Sequence, residues 1–152
     1  KVYVNLCILY MYLYERRRIM GTQIQVQVNQ AGSSASEGLS RTHRIRMDRP
    51  EAKGGENRGP MGGEVLLMGL GGCFMSILLA AVAARDGVVT NVQLVISGQL
   101  ESSPPHYSAI EVIVSAEYSS RKEMEKMITI AERGCIVANT LKEAVNLKIE
   151  LK

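Results

Sequence analysis

The sequence has few of the residue types that usually mark a functional site. It contains no tryptophan, one phenylalanine, two histidines and three cysteines. The cysteines form no C-x-x-C pair, so the spacings typical of zinc sites and of disulfide-rich scaffolds are missing. Because aromatic residues are scarce, the core has to come from leucine, isoleucine, valine, alanine and the eight methionines.

A basic surface is also missing from most of the chain. Residues 1–19 hold four of the 18 basic and one of the 15 acidic side chains, which leaves 14 of each in the remainder. Binding to nucleic acid through surface charge needs a clustered basic face, so we expect no nucleic-acid partner. A chain of 152 residues is expected to form one domain.

No charged side chain occurs in residues 65–84, which follow a loop rich in glycine and proline. Such a segment predicts a helix that is apolar on nearly every side, and this helix is either a buried core element or a membrane span. Three glycines weaken a helix that faces lipid, and amphipathic strands on both sides of it need a core element to cover. We therefore favour the buried core helix and expect no membrane partner.

An apolar segment also occupies residues 2–14, and three arginines follow it. A secretory signal peptide carries its charge before the apolar run, and a segment this short cannot span a bilayer. Because Met20 directly precedes the first regular pattern, we interpret residues 1–19 as an upstream extension and 20–152 as the domain. A short helix or strand that packs on the body is the alternative.

The remaining patterns predict the element order β-β-α-β-β-α-β. Period-two alternation places strands near residues 22–28, 44–47, 92–100, 110–116 and 145–151. Residues 31–38, which are rich in serine and glycine, are predicted as a turn that pairs the first two strands. Ser120 and Glu123 form a capping box, Gly134 suits the end of that helix, and Cys135 opens a further helical turn. Without repeated βαβ spacing, an α+β fold with mixed or mainly antiparallel sheets is expected.

Two cysteines are candidates for chemistry, because Cys73 lies in the central helix and Cys135 opens the later helical turn. A buried cysteine is most often an inert small hydrophobe. Free N–H groups at a helix start favour a thiolate, and this argument applies to Cys135. From the residues alone, an inert pair and a pair of attacking and resolving thiols both stay open.

Three blocks of sequence carry a motif, D-x-P…G-G-x-x-x-G-P…E-x-L-L-x-x-L-G-G-C, over residues 43–50, 54–60 and 64–73. This motif resembles the OsmC/Ohr family of osmotically inducible and organic hydroperoxide resistance proteins. Residues 131–135 resemble the segment in which the family has its second cysteine. The resemblance covers about residues 22–152. The resemblance implies an α+β fold in which mainly antiparallel sheets wrap around a long buried central helix, within an intertwined homodimer.

The resemblance also implies a thiol-dependent peroxidase that reduces organic hydroperoxides or hydrogen peroxide. Cys73 would attack the peroxide as a thiolate and become a sulfenic acid, and Cys135 would condense with it to a disulfide. A dithiol reductant would restore both cysteines. No metal and no organic cofactor is needed, and we expect a cytoplasmic location.

The chain departs from the family pattern at three places. In the well-known peroxidase members, a glutamate precedes the first cysteine by ten residues, where this chain has Gly63. Glu64 precedes it by nine, as in an OsmC-like branch. Residues 31–38, where one branch carries an arginine, contain none, and Ile136 replaces the usual proline after the second cysteine.

A cationic group near Cys73 is needed, because burial raises the pKa of a thiol whereas attack on a peroxide requires the thiolate. We nominate Arg58, from its own chain or the partner chain, held by Glu64 in a charge-assisted pair. The predicted catalytic residues are therefore Cys73, Cys135, Glu64 and Arg58. A non-catalytic dimeric module that binds an apolar ligand between its subunits and a small membrane-anchored protein are the alternative functions.

Overall fold

The computed structural model describes residues 22–85 and 87–152, so the extension predicted for residues 1–19 lies outside the described residues. The described residues form two three-stranded sheets and a long central helix, as the α+β prediction requires. The elements are β1 (Gln27–Gln30), β2 (Ser36–Ser40), β3 (His43–Met47), α1 (Gly62–Ala83), β4 (Val89–Ser102), β5 (Pro105–Tyr118), α2 (Arg121–Gly134), α3 (Ile136–Leu141) and β6 (Asn146–Leu151). A single 3-10 turn, Glu51–Lys53, lies between β3 and α1.

The first sheet, in the order β1-β2-β3, corrects the prediction for this region. Ser36–Ser40 is a strand and not a turn, and it separates the two strands that were expected to pair. Residues 22–26 belong to no strand. Serine and glycine are weak strand formers, but β2 is the middle strand and receives backbone hydrogen bonds from both neighbours. These bonds outweigh the local preference.

The second sheet has the order β4-β5-β6 and supplies the wall of the core. The predicted hairpin is confirmed as antiparallel β4 and β5, and β6 adds to β5 in parallel orientation. The side chains of Ile110, Val112 and Val114 on β5 are fully buried in the core with one side of α1, and α2 closes the core from another side. The largest buried side chains are Phe74, Leu70, Leu78, Ile110, Met124, Val112, Val114 and Cys135.

One side of α1 stays uncovered in a single chain, although nearly every side of the helix is apolar. Leu70, Phe74 and Leu78 face the sheet, whereas Met68 and Leu79 on the other side are 60% and 48% exposed. By length and hydropathy alone, α1 is the one helix among the described residues that could also cross a membrane. Its packing against the second sheet is that of a core helix with one open face.

The buried carboxylate of Asp48 organises the loop that leads into α1. Its oxygens accept hydrogen bonds from Ser34 Oγ at 2.7 Å and from the backbone N–H groups of Arg49, Glu56 and Arg58 at 2.8, 3.1 and 3.2 Å. The hydrogen bond from Ser34 lowers the pKa of Asp48 most, burial opposes it, and the backbone donors lower it further, to about 2. A charged Asp48 therefore belongs to the folded state.

Replacing Asp48 by asparagine should lower the melting temperature by several degrees at pH 7 and flatten its dependence on acid. The pKa of about 2 lies below the value of about 3.9 for an unfolded aspartate. The carboxylate therefore stabilises the fold fully only above about pH 5, and this contribution is lost as the pH falls towards 2. Circular dichroism melts between pH 2 and 7 measure both effects. Glu51→Gln, which removes an exposed charge from the same loop, is the control, and equal pH slopes in all three proteins would contradict the prediction.

Candidate functional site

The fold brings Cys73 of α1 into contact with Cys135, which ends α2 and begins α3. Cys135 is fully buried, Cys73 is half-buried, and both are free thiols within hydrogen-bonding contact of each other. The end of α2 approaches α1 closely at Gly134, where an added Cβ would lie 3.1 Å from the side chain of Ile77. A side chain at this position would have to displace the side chain of Ile77.

Hydrogen bonds from the start of α3 stabilise the thiolate of Cys73. Burial raises the pKa of Cys73, but the N–H of Val137, the thiol of Cys135 and the N–H of Ile136 all lower it, and the net shift is downward. The first N–H groups of a helix have no acceptor within the helix. The Cys73 sulfur therefore supplies the acceptor that these groups need.

The neighbouring thiol of Cys135 is shifted in the opposite direction. Burial raises its pKa, and the N–H of Ala138 partly offsets this by donating to Sγ at 3.4 Å. The hydrogen bond to Cys73 and the charge on Cys73 raise the pKa again, and the N–H of Val137 lowers it slightly. Of the two thiols, Cys73 therefore loses its proton more readily, and Cys135 is the donor of the hydrogen bond between them.

The raised pKa of Cys135 shows that one prediction was wrong, namely that free N–H groups at the helix start favour a thiolate at Cys135. Cys135 does open α3, but as its N-cap it receives mainly the N–H of Ala138 and shares the N–H of Val137 with Cys73. The N–H of Ile136 acts on Cys73 alone, and that of Val137 lowers the pKa of Cys73 as well. The physical reason is that a cap side chain bends back towards the third helical residue. The first donor is then left to a group beyond the helix end, and the second is shared with it.

The predicted pair of Arg58 and Glu64 does not form within one chain. The Arg58 guanidinium forms an ion pair with Glu56, and both side chains are about half exposed. Glu64 Oε2 accepts the N–H of Met61 at 2.7 Å, so this carboxylate caps the start of α1. Neither Arg58 nor Glu64 is among the groups that shift the pKa of Cys73. Within the chain, backbone donors take the role that was assigned to an arginine.

A separate cavity of about 570 Å³ opens where the start of α1 meets the turns β4–β5 and α3–β6. Its lining is mostly apolar and does not include either cysteine. The lining residues are Lys53, Met61, Gly63, Leu66, Leu100, Pro105, His106, Tyr107, Ile110, Leu141, Ala144 and Val145. This cavity was not predicted from the sequence. The one signal for it in the sequence is Gly98, because a glycine inside a strand often marks a place where another group closely approaches the backbone.

Tyr107 is held at the wall of this cavity by two glycines. A Cβ added at Gly98 would lie 2.6 Å from Cδ1 of the ring, and one added at Gly63 would lie 3.0 Å from the hydroxyl oxygen. Among the described residues, the side-chain hydrogen bonds next to it belong to His106 and Ser108, and none reaches the Tyr107 hydroxyl. The ring is thus fixed while its hydroxyl remains available to a ligand. The same part of the chain contains no cluster of three His, Cys, Asp or Glu side chains that could hold a metal ion.

Comparison with known proteins identifies one family and several similar folds. The family described as OsmC-like protein matches residues 54–150, whereas no curated protein sequence matches the chain. An OsmC-like protein from Mycoplasma pneumoniae superposes with a TM-score of 0.77 at 17% identity, covering 88% of this chain and 98% of its own. A hypothetical protein from Aquifex aeolicus VF5 gives a TM-score of 0.74 at 20% identity, with 87% and 98% covered. An organic hydroperoxide resistance protein from Elizabethkingia anophelis gives 0.62 at 19% identity, with 88% and 99% covered.

Proposed function

Because the chain belongs to the OsmC-like protein family, we propose that it is a thiol-dependent peroxidase that reduces organic hydroperoxides or hydrogen peroxide. The observation that carries this proposal is the contact between Cys73 and Cys135 with opposite pKa shifts. One thiol is prepared to attack and the other to keep its proton, as a two-cysteine peroxidase requires. The name of the structurally similar hydroperoxide resistance protein from Elizabethkingia anophelis is consistent with this reaction.

In the first step, the Cys73 thiolate attacks one oxygen of the peroxide and the O–O bond breaks. Sulfur is oxidised to a sulfenic acid, and the second oxygen leaves as an alcohol, or as water from hydrogen peroxide, after it takes up a proton. The N–H groups of Val137 and Ile136 hold the thiolate before the attack. The backbone of α3 thereby keeps Cys73 reactive although the site is partly closed to water.

In the second step, Cys135 attacks the sulfenic sulfur of Cys73, and a disulfide forms as water leaves. Cys135 has to lose its proton for this step. Oxidation of Cys73 removes the negative charge that raised the pKa of Cys135, and the N–H of Ala138 remains to stabilise the new thiolate. An external dithiol then reduces the disulfide and is itself oxidised. The first step thus prepares the second.

The test of this function is consumption of cumene hydroperoxide in the presence of dithiothreitol. We expect one peroxide to be lost for each dithiol oxidised, followed as residual peroxide and as free thiol. Buffer with dithiothreitol alone is the control. No consumption above this control would contradict the proposal and would favour a non-catalytic module that binds an apolar ligand, which the cavity of about 570 Å³ makes the second candidate.

We also propose that the protein acts as an intertwined homodimer. The open face of α1 and the apolar side chains of the first sheet lack cover in one chain: Val28 is 60% and Ile45 is 50% exposed. Obligate homodimers bury about 2,000 Å² or more of such surface. In that assembly, we propose that Arg58 of one chain approaches Cys73 of the other. Turnover needs thiols that are kept reduced, which supports a cytoplasmic location.

Replacing Ile136 by proline should raise the pKa of Cys73 and slow its oxidation about fivefold, since the net value of one hydrogen bond is about 1 kcal/mol. Ile136 is the first residue of α3 and is 63% exposed, and proline is well tolerated at that helix position. The substitution therefore removes one donor with little effect on packing. The pH dependence of Cys73 alkylation by iodoacetamide, read by mass spectrometry, measures the pKa. Ile136→Val, which keeps the N–H, is the control, and identical pH profiles for the two variants would contradict the role of this donor.

A further inference from the structure

The cavity at the start of α1 has the size and lining of a small-molecule site. Its volume of about 570 Å³ falls within the range of about 300–1,000 Å³ that is usual for ligand pockets. Leu66, Leu100, Leu141 and Val145 give it apolar walls. Neither Cys73 nor Cys135 belongs to the lining, so the cavity is separate from the thiol pair.

The polar groups of the cavity favour a negative ligand. Its described lining contains Lys53 and no aspartate or glutamate. Among the ion pairs formed by the described residues, none involves Lys53, whose ammonium only approaches the sulfur of Met61 at 3.9 Å. The charge of Lys53 is therefore available at the mouth of an apolar cavity.

Two further polar side chains, those of Tyr107 and His106, line the cavity. The hydroxyl of Tyr107 is fixed between Gly63 and Gly98 and can donate a hydrogen bond into the cavity. His106 Nδ1 lies 2.7 Å from the carbonyl oxygen of Pro104, so its donor is already used by the backbone. One ammonium and one hydroxyl thus face a space that is otherwise apolar.

We propose that this cavity binds a small amphipathic anion, an unbranched alkyl chain with a carboxylate head. The head lies between Lys53 and the Tyr107 hydroxyl, and the chain lies along Leu66, Leu141 and Val145. This site goes beyond the proposed peroxidase and does not depend on it, because the ligand needs neither cysteine. Leu66 lies on the same side of α1 as Leu70, away from Met68 and Leu79 on the open face. A dimer that covers the open face at Met68 and Leu79 therefore does not need Leu66.

The test is calorimetric titration of the full chain with three probes of equal chain length: decanoate, 1-decanol and decyltrimethylammonium. We expect saturable binding of decanoate at one site per chain, weaker binding of decanol and the weakest binding of the cation. Lys53→Gln should weaken decanoate about threefold, as expected for an exposed ion pair, and leave decanol unchanged. Lys122→Gln, an equal change of charge on an exposed lysine of α2, is the control.

Two further variants locate the probe. Ala144→Trp fills the cavity from an exposed position and should abolish binding of all three probes while the protein keeps its circular dichroism spectrum. Cys73→Ser should leave decanoate binding unchanged. The proposal is overturned if decanoate does not saturate, if the cation binds as well, or if the two lysine variants behave alike. It is also overturned if Cys73→Ser removes binding, which would place the probe at the thiol pair and leave the peroxidase proposal intact.

Discussion

Replacing Cys73 by serine should reduce peroxide consumption by about 10³-fold or more, as is usual when a nucleophile is removed. A serine hydroxyl is not ionised at neutral pH, and the N–H groups of α3 that stabilise the Cys73 thiolate cannot make it a comparable nucleophile. Replacing Cys135 by serine should permit the first oxidation and stop turnover, because no thiol remains to close the disulfide. The two substitutions therefore separate the attacking from the resolving sulfur.

Mass spectrometry after a stoichiometric dose of cumene hydroperoxide distinguishes the expected products. The wild type should lose two hydrogen atoms and show a peptide cross-linked through Cys73 and Cys135. The Cys135→Ser variant should gain one or more oxygen atoms on Cys73, and the Cys73→Ser variant should stay unchanged. Cys7→Ser is the control for the third cysteine. A wild type that keeps all its free thiols would contradict the peroxidase and favour the binding module, whereas the fold would stand.

Leucine at Gly71 and leucine at Gly72 should have effects of different origin. A Cβ at Gly71 would lie 2.5 Å from Cδ1 of Ile96, so leucine there overpacks the core of the single chain. A Cβ at Gly72 meets nothing within 4 Å, so leucine there is harmless to a lone chain but obstructs a partner helix. In the proposed homodimer, we expect each substitution to reduce the free energy of unfolding by about 1–3 kcal/mol.

Sedimentation and thermal melts distinguish these two effects. Gly71→Leu should lower the melting temperature at every protein concentration. Gly72→Leu should shift the assembly towards monomer and lower the melting temperature most at low concentration. Gly72→Ala, which adds one methyl group and favours the helix, is the control. A monomeric wild type, or a Gly72→Leu protein with unchanged sedimentation, would contradict the dimer.

The sequence predicted those parts of the fold whose signal is local. The uncharged run at 65–84 identifies α1, and the alternation in residues 92–116 identifies the hairpin β4–β5. β2 was missed because its five residues become a strand only through pairing on both sides. The family resemblance added the general architecture, which the similar folds confirm.

The chemistry at the site could be predicted only in part. That Cys135 begins a helical turn follows from the sequence, and the structure confirms it. Which sulfur receives the donors of that turn depends on how α2 packs on α1, and Gly134 controls this by its approach to Ile77. No sequence pattern carries such a long-range contact. The cavity was missed for the same reason, because its wall combines residues from Lys53 to Val145.

The packing of Tyr107 between Gly63 and Gly98 constrains how relatives of this chain can diverge. A side chain at position 63 and the hydroxyl at position 107 compete for one space, since an added Cβ would lie 3.0 Å from that oxygen. A larger side chain at 98 would displace the ring itself. Residues in such contact contribute to stability non-additively, so the three positions should covary. A relative with glutamate at the place of Gly63 should carry a shorter residue at the place of Tyr107, and an alignment in which these positions vary independently would contradict this coupling.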